Sequence, residues 1–292
     1  MKVAITGSTG LVGSALVSLL TFAGHEVLRM TRPAHWNPER GLVDLAALEA
    51  KDAVVHLAGE RIASGRWTAL KKAQIRDSRA KGTRLIAESM AKLAQPPNVL
   101  VSASAIGFYG DRGDELLNEE SGSGQGFLPE VCRQWEAATD PATRNGIRVV
   151  HLRTGLVLSR KGGALDKMLL PFKLGIGGTI GSGSQYWSWI SLDDMCAAIL
   201  HCIQAGDLHG PVNIVSPSPV TNLEFTKALG RVLSRPTILP LPAFAARLAL
   251  GEMADALLLA SARVEPAKLR NSRFMFRDKE IESTLRNLLG RN

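Results

Sequence analysis

Tyrosine occurs only twice in the 292 residues, at Tyr109 and Tyr186, and cysteine only three times. Cys132, Cys196 and Cys202 are widely placed and share no metal-ligand spacing. They are too few for a disulfide framework, which fits a reducing, cytoplasmic setting. Cys196 and Cys202 sit in apolar, helix-like sequence and read as inert core. No run of about 18 apolar residues occurs, so no membrane span and no membrane partner is expected. With an apolar strand expected from Val3, no signal peptide is expected. Basic residues outnumber acidic ones by 35 to 27, a net charge of +8. The densest basic runs, Lys71-Lys72 and residues 76–81, fall on one expected helix without interleaved aromatics. That pattern weighs against nucleic acid and is read as a solvated basic face together with charge for phosphates. Internal repeats and low-complexity tracts are also missing. With 45% hydrophobic and 21% charged residues, the rest is the composition of an ordinary globular chain.

What is present starts at the first residues. Met1 to Ile5 is a short β-branched apolar run. Thr6-Gly7-Ser8-Thr9-Gly10-Leu11-Val12-Gly13 follows, and then a helical pattern carries Leu16, Leu19, Leu20 and Ala23 to a stop at Gly24. Strand, glycine turn and helix in that order suit a dinucleotide pyrophosphate. One glycine allows the tight turn, one lets backbone approach the phosphates, and one lets the helix pack close to the strand. The helix start offers free N–H groups and the positive end of the dipole. A second strand is expected over residues 25–30. An acid after it would grip the 2′-hydroxyl of NAD; Thr31-Arg32 stands there instead. A guanidinium can hold phosphate oxygens bidentately, which favours NADP.

Further on, residues 36–40 read as loop, 41–44 as a short strand and 45–50 as a short helix. Residues 52–59 form a strand with a small-residue tip, in which His56 is expected to be a core histidine. Helix is expected over 66–94, with Trp67 packed on its apolar face. Strand follows over 98–104, a flexible acidic and glycine-rich loop over 111–126, helix over 127–145 and strand over 147–152. Residues 162–183, with seven glycines, read as loop. A helix over 193–204 is expected to be capped by Asp193 or Asp194. A strand over 211–215 precedes a helix over 221–233 capped by Thr221 or Asn222, with Glu224 in its first turn. Helices are expected over 243–262 and 278–289. Alternating strands and helices imply an α/β fold, a Rossmann-like doubly wound parallel sheet. The expected NADP-binding domain is 1–160, completed by about 191–215. Residues 161–190 and 216–292 would form a smaller, mostly helical substrate-side domain, with a small-molecule substrate between the two.

With these residues in place the chain resembles the extended short-chain dehydrogenase/reductase superfamily. The resemblance rests on Thr6-Gly7-x-x-Gly10-x-x-Gly13, His56-Leu57-Ala58-Gly59 and Tyr109-Gly110. More narrowly it is similar to the atypical "epimerase family" branch with its own C-terminal domain, once labelled a cell-division inhibitor. Arg66-Trp67-Thr68, Ser102 to Gly110, Gly162-Gly163-Ala164-Leu165, Trp187-Ser188-Trp189-Ile190 and Pro219 to Phe225 carry that closer match. The resemblance implies NADP(H) as cofactor. It points to Gly7, Gly10, Leu11, Val12 and Gly13 at the pyrophosphate and to Thr31 and Arg32 at the 2′-phosphate. Leu57 and Ala58 would lie over the strand tip, Gln74 and Arg79 would reach in from the following helix, and Val157 from the far strand. Arg79 takes the place of the Asn usual in extended members. A homodimer through the helices at 66–94 and 127–145 is implied by the same analogy.

The chain departs from the superfamily at the catalytic pair. Tyr-x-x-x-Lys supplies the acid/base, with Lys lowering the tyrosine pKa. Here Cys132 stands where Tyr belongs and Glu136 where Lys belongs. Ser104, Tyr109, Glu60 and Glu136 remain as polar candidates near the nicotinamide, with Cys132 as a thiol that is read more readily as core. The sequence therefore suggests an NADP(H)-binding oxidoreductase or epimerase without the usual pair. The alternative is a non-catalytic NADP(H)-binding redox sensor or partner-binding protein. No metal site is suggested.

Overall fold

A computed structural model describes residues 1–291. Six strands make one all-parallel sheet: β1 (Lys2–Thr6), β2 (Glu26–Met30), β3 (Ala53–His56), β4 (Val99–Ala105), β5 (Arg148–Thr154) and β6 (Gly210–Ile214). Their spatial order is β6-β5-β4-β3-β1-β2. The strands are apolar on both faces because helices cover both. Val3, Ile5, Val55 and Val101 point to one side, against helices α1 (Leu11–Phe22) and α6 (Leu192–Gln204). Ala4, Val54 and Leu100 point to the other, against α2 (Ala69–Met90) and the short α4 (Asp140–Arg144). The two-residue strand period thus divides each strand between two cores. Chain progression reverses between β1 and β3, so a crevice opens at their carboxyl ends. This is the Rossmann-like sheet that the alternation implied.

A third core lies beyond the sheet. Helices α5 (Gly163–Lys173), α7 (Asn222–Leu233) and Ile281–Leu289 pack around Trp187, Trp189 and Phe225. Thr221 caps α7, and the reciprocal bond from Glu224 completes a capping box, as the Thr-x-x-Glu spacing suggests. Among the described residues no helix is long and apolar enough to cross a membrane.

Several expected elements differ. Residues 162–183 are not all loop: Leu165, Leu169 and Phe172 recur at helical spacing and bury one face of α5, despite Pro171. The expected helix over 127–145 breaks into α3 (Phe127–Ala137) and α4, where Pro141 sits in the first turn of the second piece. The helix expected over 243–262 ends at Leu250. Gly251 there adopts φ +63°, and Glu252–Ala254 and a wide turn at Asp255–Leu259 follow. Trp36–Asn37 is a strand, paired antiparallel with Leu42–Val43, and residues 45–50 are turns. The segment 111–126 is tied down where Leu116–Leu117 pairs with Arg263–Val264. Ser191, not Asp193 or Asp194, caps α6. The Asp194 carboxylate instead accepts from the backbone N–H groups of Arg277 and Asp278. Leu269 and Phe276, expected in the smaller domain, pack into the core beside α1 and α6.

His56 ends β3 inside the core. Thr6 Oγ1 lies 2.7 Å from its Nδ1, and Trp36 meets the ring edge-on at 5.5 Å. Its Nε2 is buried without a partner. Burial holds its pKa down to about 4 from 6.5, so the ring is neutral. Between those two values the unfolded chain binds a proton that the native state refuses. Native stability therefore falls as pH drops from 6.5 towards 4, by up to about 3 kcal/mol from this residue. Urea titrations at successive pH values should show His56→Asn flattening that slope; an unchanged slope would place the proton uptake elsewhere.

Candidate functional site

The crevice is built around three close approaches. Gly7 has φ +69°, and a Cβ there would lie 2.7 Å from the Leu57 carbonyl carbon and 2.8 Å from the Ala58 nitrogen. At Gly13 a Cβ would sit 2.2 Å from the Gly7 carbonyl oxygen. Both positions exclude any larger residue, since real carbons do not approach so closely. Gly10 differs. It is exposed, and the sole close neighbour of an added Cβ would be the Gly7 oxygen at 3.3 Å. Gly10 N–H donates to Gly7 O at 3.0 Å, and Ser14 N–H to Gly10 O at 2.9 Å, closing the turn into α1. No side chain caps this helix start and no acid sits in its first turn. Leu11, Val12 and Gly13 thus bring helix-start N–H groups to the crevice, the arrangement an anion needs.

At the end of β2, Thr31 N–H donates to His35 Nδ1 at 3.3 Å, and Arg32 is exposed with its guanidinium 5.7 Å from the Trp36 ring centroid. No acid follows until Glu39. Leu57 and Ala58 cover the tip of β3 against Gly7. Arg79 reaches this tip from α2: its Nη1 donates to Glu60 O at 3.1 Å, and its guanidinium lies 4.9 Å from the Trp135 ring centroid. A Cβ on Gly59 would be 3.6 Å from the Arg79 guanidinium carbon. Gln74 is exposed one turn earlier on α2. Val157, paired with Ile190, packs against the first core. The sequence pointed to Gly162 and Gly163 for the family resemblance but gave them no place at the crevice. A Cβ at Gly163 would lie 3.2 Å from Leu11 Cδ2 and 3.7 Å from Val157 O, so this glycine pair lets the start of α5 close over the cradle. The Gly-Gly motif was the available signal.

The polar candidates form one buried network. Ser104 Oγ donates to Glu136 Oε1 at 2.7 Å. Arg153 holds the same carboxylate with two bonds, Nε to Oε1 at 2.9 Å and Nη2 to Oε2 at 2.8 Å, with side chains 5% and 12% exposed. Its Nη1 donates to Tyr109 OH at 3.1 Å. The Tyr109 hydroxyl has Asn118 O at 2.9 Å and Asn213 Oδ1 at 2.8 Å, and the ring is fully buried beside Leu117 and Val264. Burial would raise the Glu136 carboxyl. The bonds and charge of Arg153 outweigh it, helped by His151 and Ser104, and hold the group below the usual range. Burial raises the Tyr109 pKa, offset in part by Arg153. Burial also pushes the Cys132 thiol up to about 12, with Glu136 adding to it. Tyr109, Ser104 and Glu136 are thereby engaged with one another, and Cys132 is an uncharged core thiol. Glu60 remains partly open, its carboxyl held low by its hydrogen bond and charge pairing with Lys71.

A parallel sheet with a glycine cradle at its topological switch and a second helical layer above defines the class of extended, dinucleotide-type short-chain dehydrogenase/reductase folds. The chain belongs to the NAD-dependent epimerase/dehydratase family, whose pattern matches residues 3–215. Residues 241–288 match a domain of unknown function, DUF1731. The chain is 46% identical to an epimerase family protein of Mycobacterium bovis, Mb2239, over 97% of this chain and 96% of that one. A solved structure of the human epimerase family protein SDR39U1, determined with NADPH, superposes with a TM-score of 0.91 at 34% identity over the full length of both chains. A nucleoside-diphosphate sugar epimerase from Corynebacterium glutamicum superposes with a TM-score of 0.82 at 39% identity, this chain spanning 58% of it.

Breaking the buried pair has a calculable direction. Arg153→Met leaves Glu136 buried and uncompensated and should cost about 3–5 kcal/mol, whereas replacing both partners by apolar residues should cost less. The low Glu136 pKa contributes stability that is complete above about pH 4.5 and is lost as pH falls through the folded value. Glu136→Gln should remove that part of the acid limb in urea titrations. A single-variant cost below about 1 kcal/mol, within the range of exposed pairs, would contradict the assignment.

Proposed function

We propose that the chain binds NADP(H) in the β1/β3 crevice and acts on a small-molecule substrate as an oxidoreductase or epimerase without a Tyr-x-x-x-Lys pair. The observation that carries this is the uncapped start of α1 at an open Gly10, joined to a β2 end that bears Arg32 and no acid. Gly7, Gly10, Leu11, Val12 and Gly13 would surround the pyrophosphate, and Thr31 and Arg32 the 2′-phosphate. Leu57, Ala58, Gln74, Arg79 and Val157 would line the path to the nicotinamide. The human relative's NADPH supports the choice of cofactor. The bound cofactor supplies hydride transfer at its nicotinamide ring. This chain's residues position it and move the proton. The resemblance assigns that pair's positions to Cys132 and Glu136, which stand one helical turn apart on α3. With Tyr109 buried and Ser104 tied to Glu136, Glu60 is the candidate carboxylate open to a substrate.

A second reading is a redox sensor with no turnover, and the closure of Ser104, Glu136, Arg153 and Tyr109 on one another favours it. Calorimetry separates the cofactor question from the rest. NADPH should bind more tightly than NADH. Arg32→Glu should weaken NADPH by roughly 10- to 100-fold, the loss of a charge-assisted phosphate bond, and leave NADH little changed. An unaltered preference would contradict the assignment of Arg32. Turnover is tested by NADPH absorbance and product analysis across carbonyl and nucleotide-sugar substrates. Partner capture that differs between the NADP⁺, NADPH and empty forms would instead support the sensor.

A further inference from the structure

Half of the large apolar side chains that the fold leaves in solvent lie in two short stretches, 170–176 and 238–248. Leu174 is 64% exposed, Ile176 57%, Ile238 79%, Leu239 52%, Phe244 72% and Leu248 75%. The two stretches are one surface. Leu241 N–H donates to Thr179 O at 2.8 Å, and Gly181 N–H to Leu241 O at 2.9 Å. A Cβ on Gly178 would collide with Leu239 O, and Pro236 lies against Gly175. Arg235 Nε donates to Lys173 O at 2.9 Å, which seats its guanidinium at the end of α5. A contiguous apolar patch of this kind marks an interaction site in a soluble fold.

The charge of the two stretches is basic. Residues 167–181 and 227–251 contain six basic residues and no Asp or Glu. Arg231 pairs with Glu282 and Arg247 with Asp255, at the margins. Among the described residues Lys167, Lys173, Lys227 and Arg235 form no ion pair. Lys227, Arg231 and Arg235 line a shallow groove of about 410 Å³ with Ser234, Pro236 and Thr237. At the edges stand two further acids, Asp166 in the first turn of α5 and Glu252, which pairs with Lys72.

We propose that this face docks on the surface of an anionic phospholipid bilayer. Leu174, Ile176, Ile238, Leu239 and Phe244 would enter the headgroup–acyl boundary, while Lys173, Lys227 and Arg235 meet lipid phosphates. The pairing of protruding apolar side chains with an unneutralised basic rim is the chemistry that an interfacial anchor needs. A polar protein partner would not require so many apolar tips, and an apolar one would not require the charge. The absence of a spanning helix bears on insertion across the bilayer and not on docking at its surface.

Co-sedimentation of the full chain with phosphatidylcholine vesicles, with and without phosphatidylglycerol, tests this. The chain should pellet with the anionic vesicles at low salt, and added salt should release it. Ile238→Ser with Leu239→Ser should weaken binding at least tenfold. Lys173→Glu with Arg235→Glu should weaken it further, because each basic residue near the surface is worth about fivefold. Ile176→Ser provides an independent apolar variant. NADPH affinity should be unchanged in every variant, and the thermal midpoint unchanged in the Ile176 and Ile238/Leu239 variants, so a folding defect is distinguishable from lost docking. Failure to bind anionic vesicles at low salt would overturn the proposal. So would binding indifferent to these residues, or a dimer in light scattering that the same substitutions dissolve.

Discussion

The Gly7 carbonyl oxygen, the first turn of α1 and the tip of β3 meet within van der Waals limits. A single added carbon at Gly13 would stand 2.2 Å from that oxygen, and one at Gly7 would strike the Leu57–Ala58 peptide. This contact fixes where α1 starts relative to β1 and β3. It therefore fixes the direction in which the free helix N–H groups face. Gly10 is the exception within the turn: it is exposed, and an added Cβ would meet only the Gly7 oxygen, at 3.3 Å. The rest of the crevice takes its position from this packing. Arg79 arrives over the β3 tip, and Gly162–Gly163 bring α5 to Leu11.

Beside the cradle, a buried carboxylate is clamped by an arginine from the end of a strand. Glu136 on α3 and Arg153 at the end of β5 form a two-bond pair that also engages Ser104 and Tyr109. Such a cluster is rigid and keeps its charges: removing either partner exposes the other to an apolar interior. Its membership of the NAD-dependent epimerase/dehydratase family is shown by the match over residues 3–215 and the full-length likeness to its relatives.

Much of the sheet and the cradle was legible in the sequence because both are local. Gly7, Gly10 and Gly13 fall between an apolar run and a helical pattern, and Thr-x-x-Glu at Thr221 announces its own helix start. What was not legible depends on distant partners or on competing signals. Arg153 and Glu136 are 17 positions apart, and Tyr109 meets Asn213 across 104. Nothing local to Tyr109 says that its hydroxyl is used up inside the core. Helix α5 was hidden by its flanking glycines, although Leu165, Leu169 and Phe172 carried the period. Asp194 resembled a cap, but its carboxylate is spent on a returning segment 83 residues later. The exposed apolar face at 170–176 and 238–248 depends on how two stretches meet, which no window of sequence contains.

The central claim is that the backbone N–H groups at the start of α1 receive the phosphates of a dinucleotide. Nuclear magnetic resonance of ¹⁵N-labelled protein measures this at the atoms concerned. Addition of NADPH should move the amide protons of Leu11, Val12 and Gly13 strongly downfield, as N–H groups do on bonding to phosphate, while those of α7 stay in place. Saturation with NADPH that leaves these three amides unmoved would contradict the account.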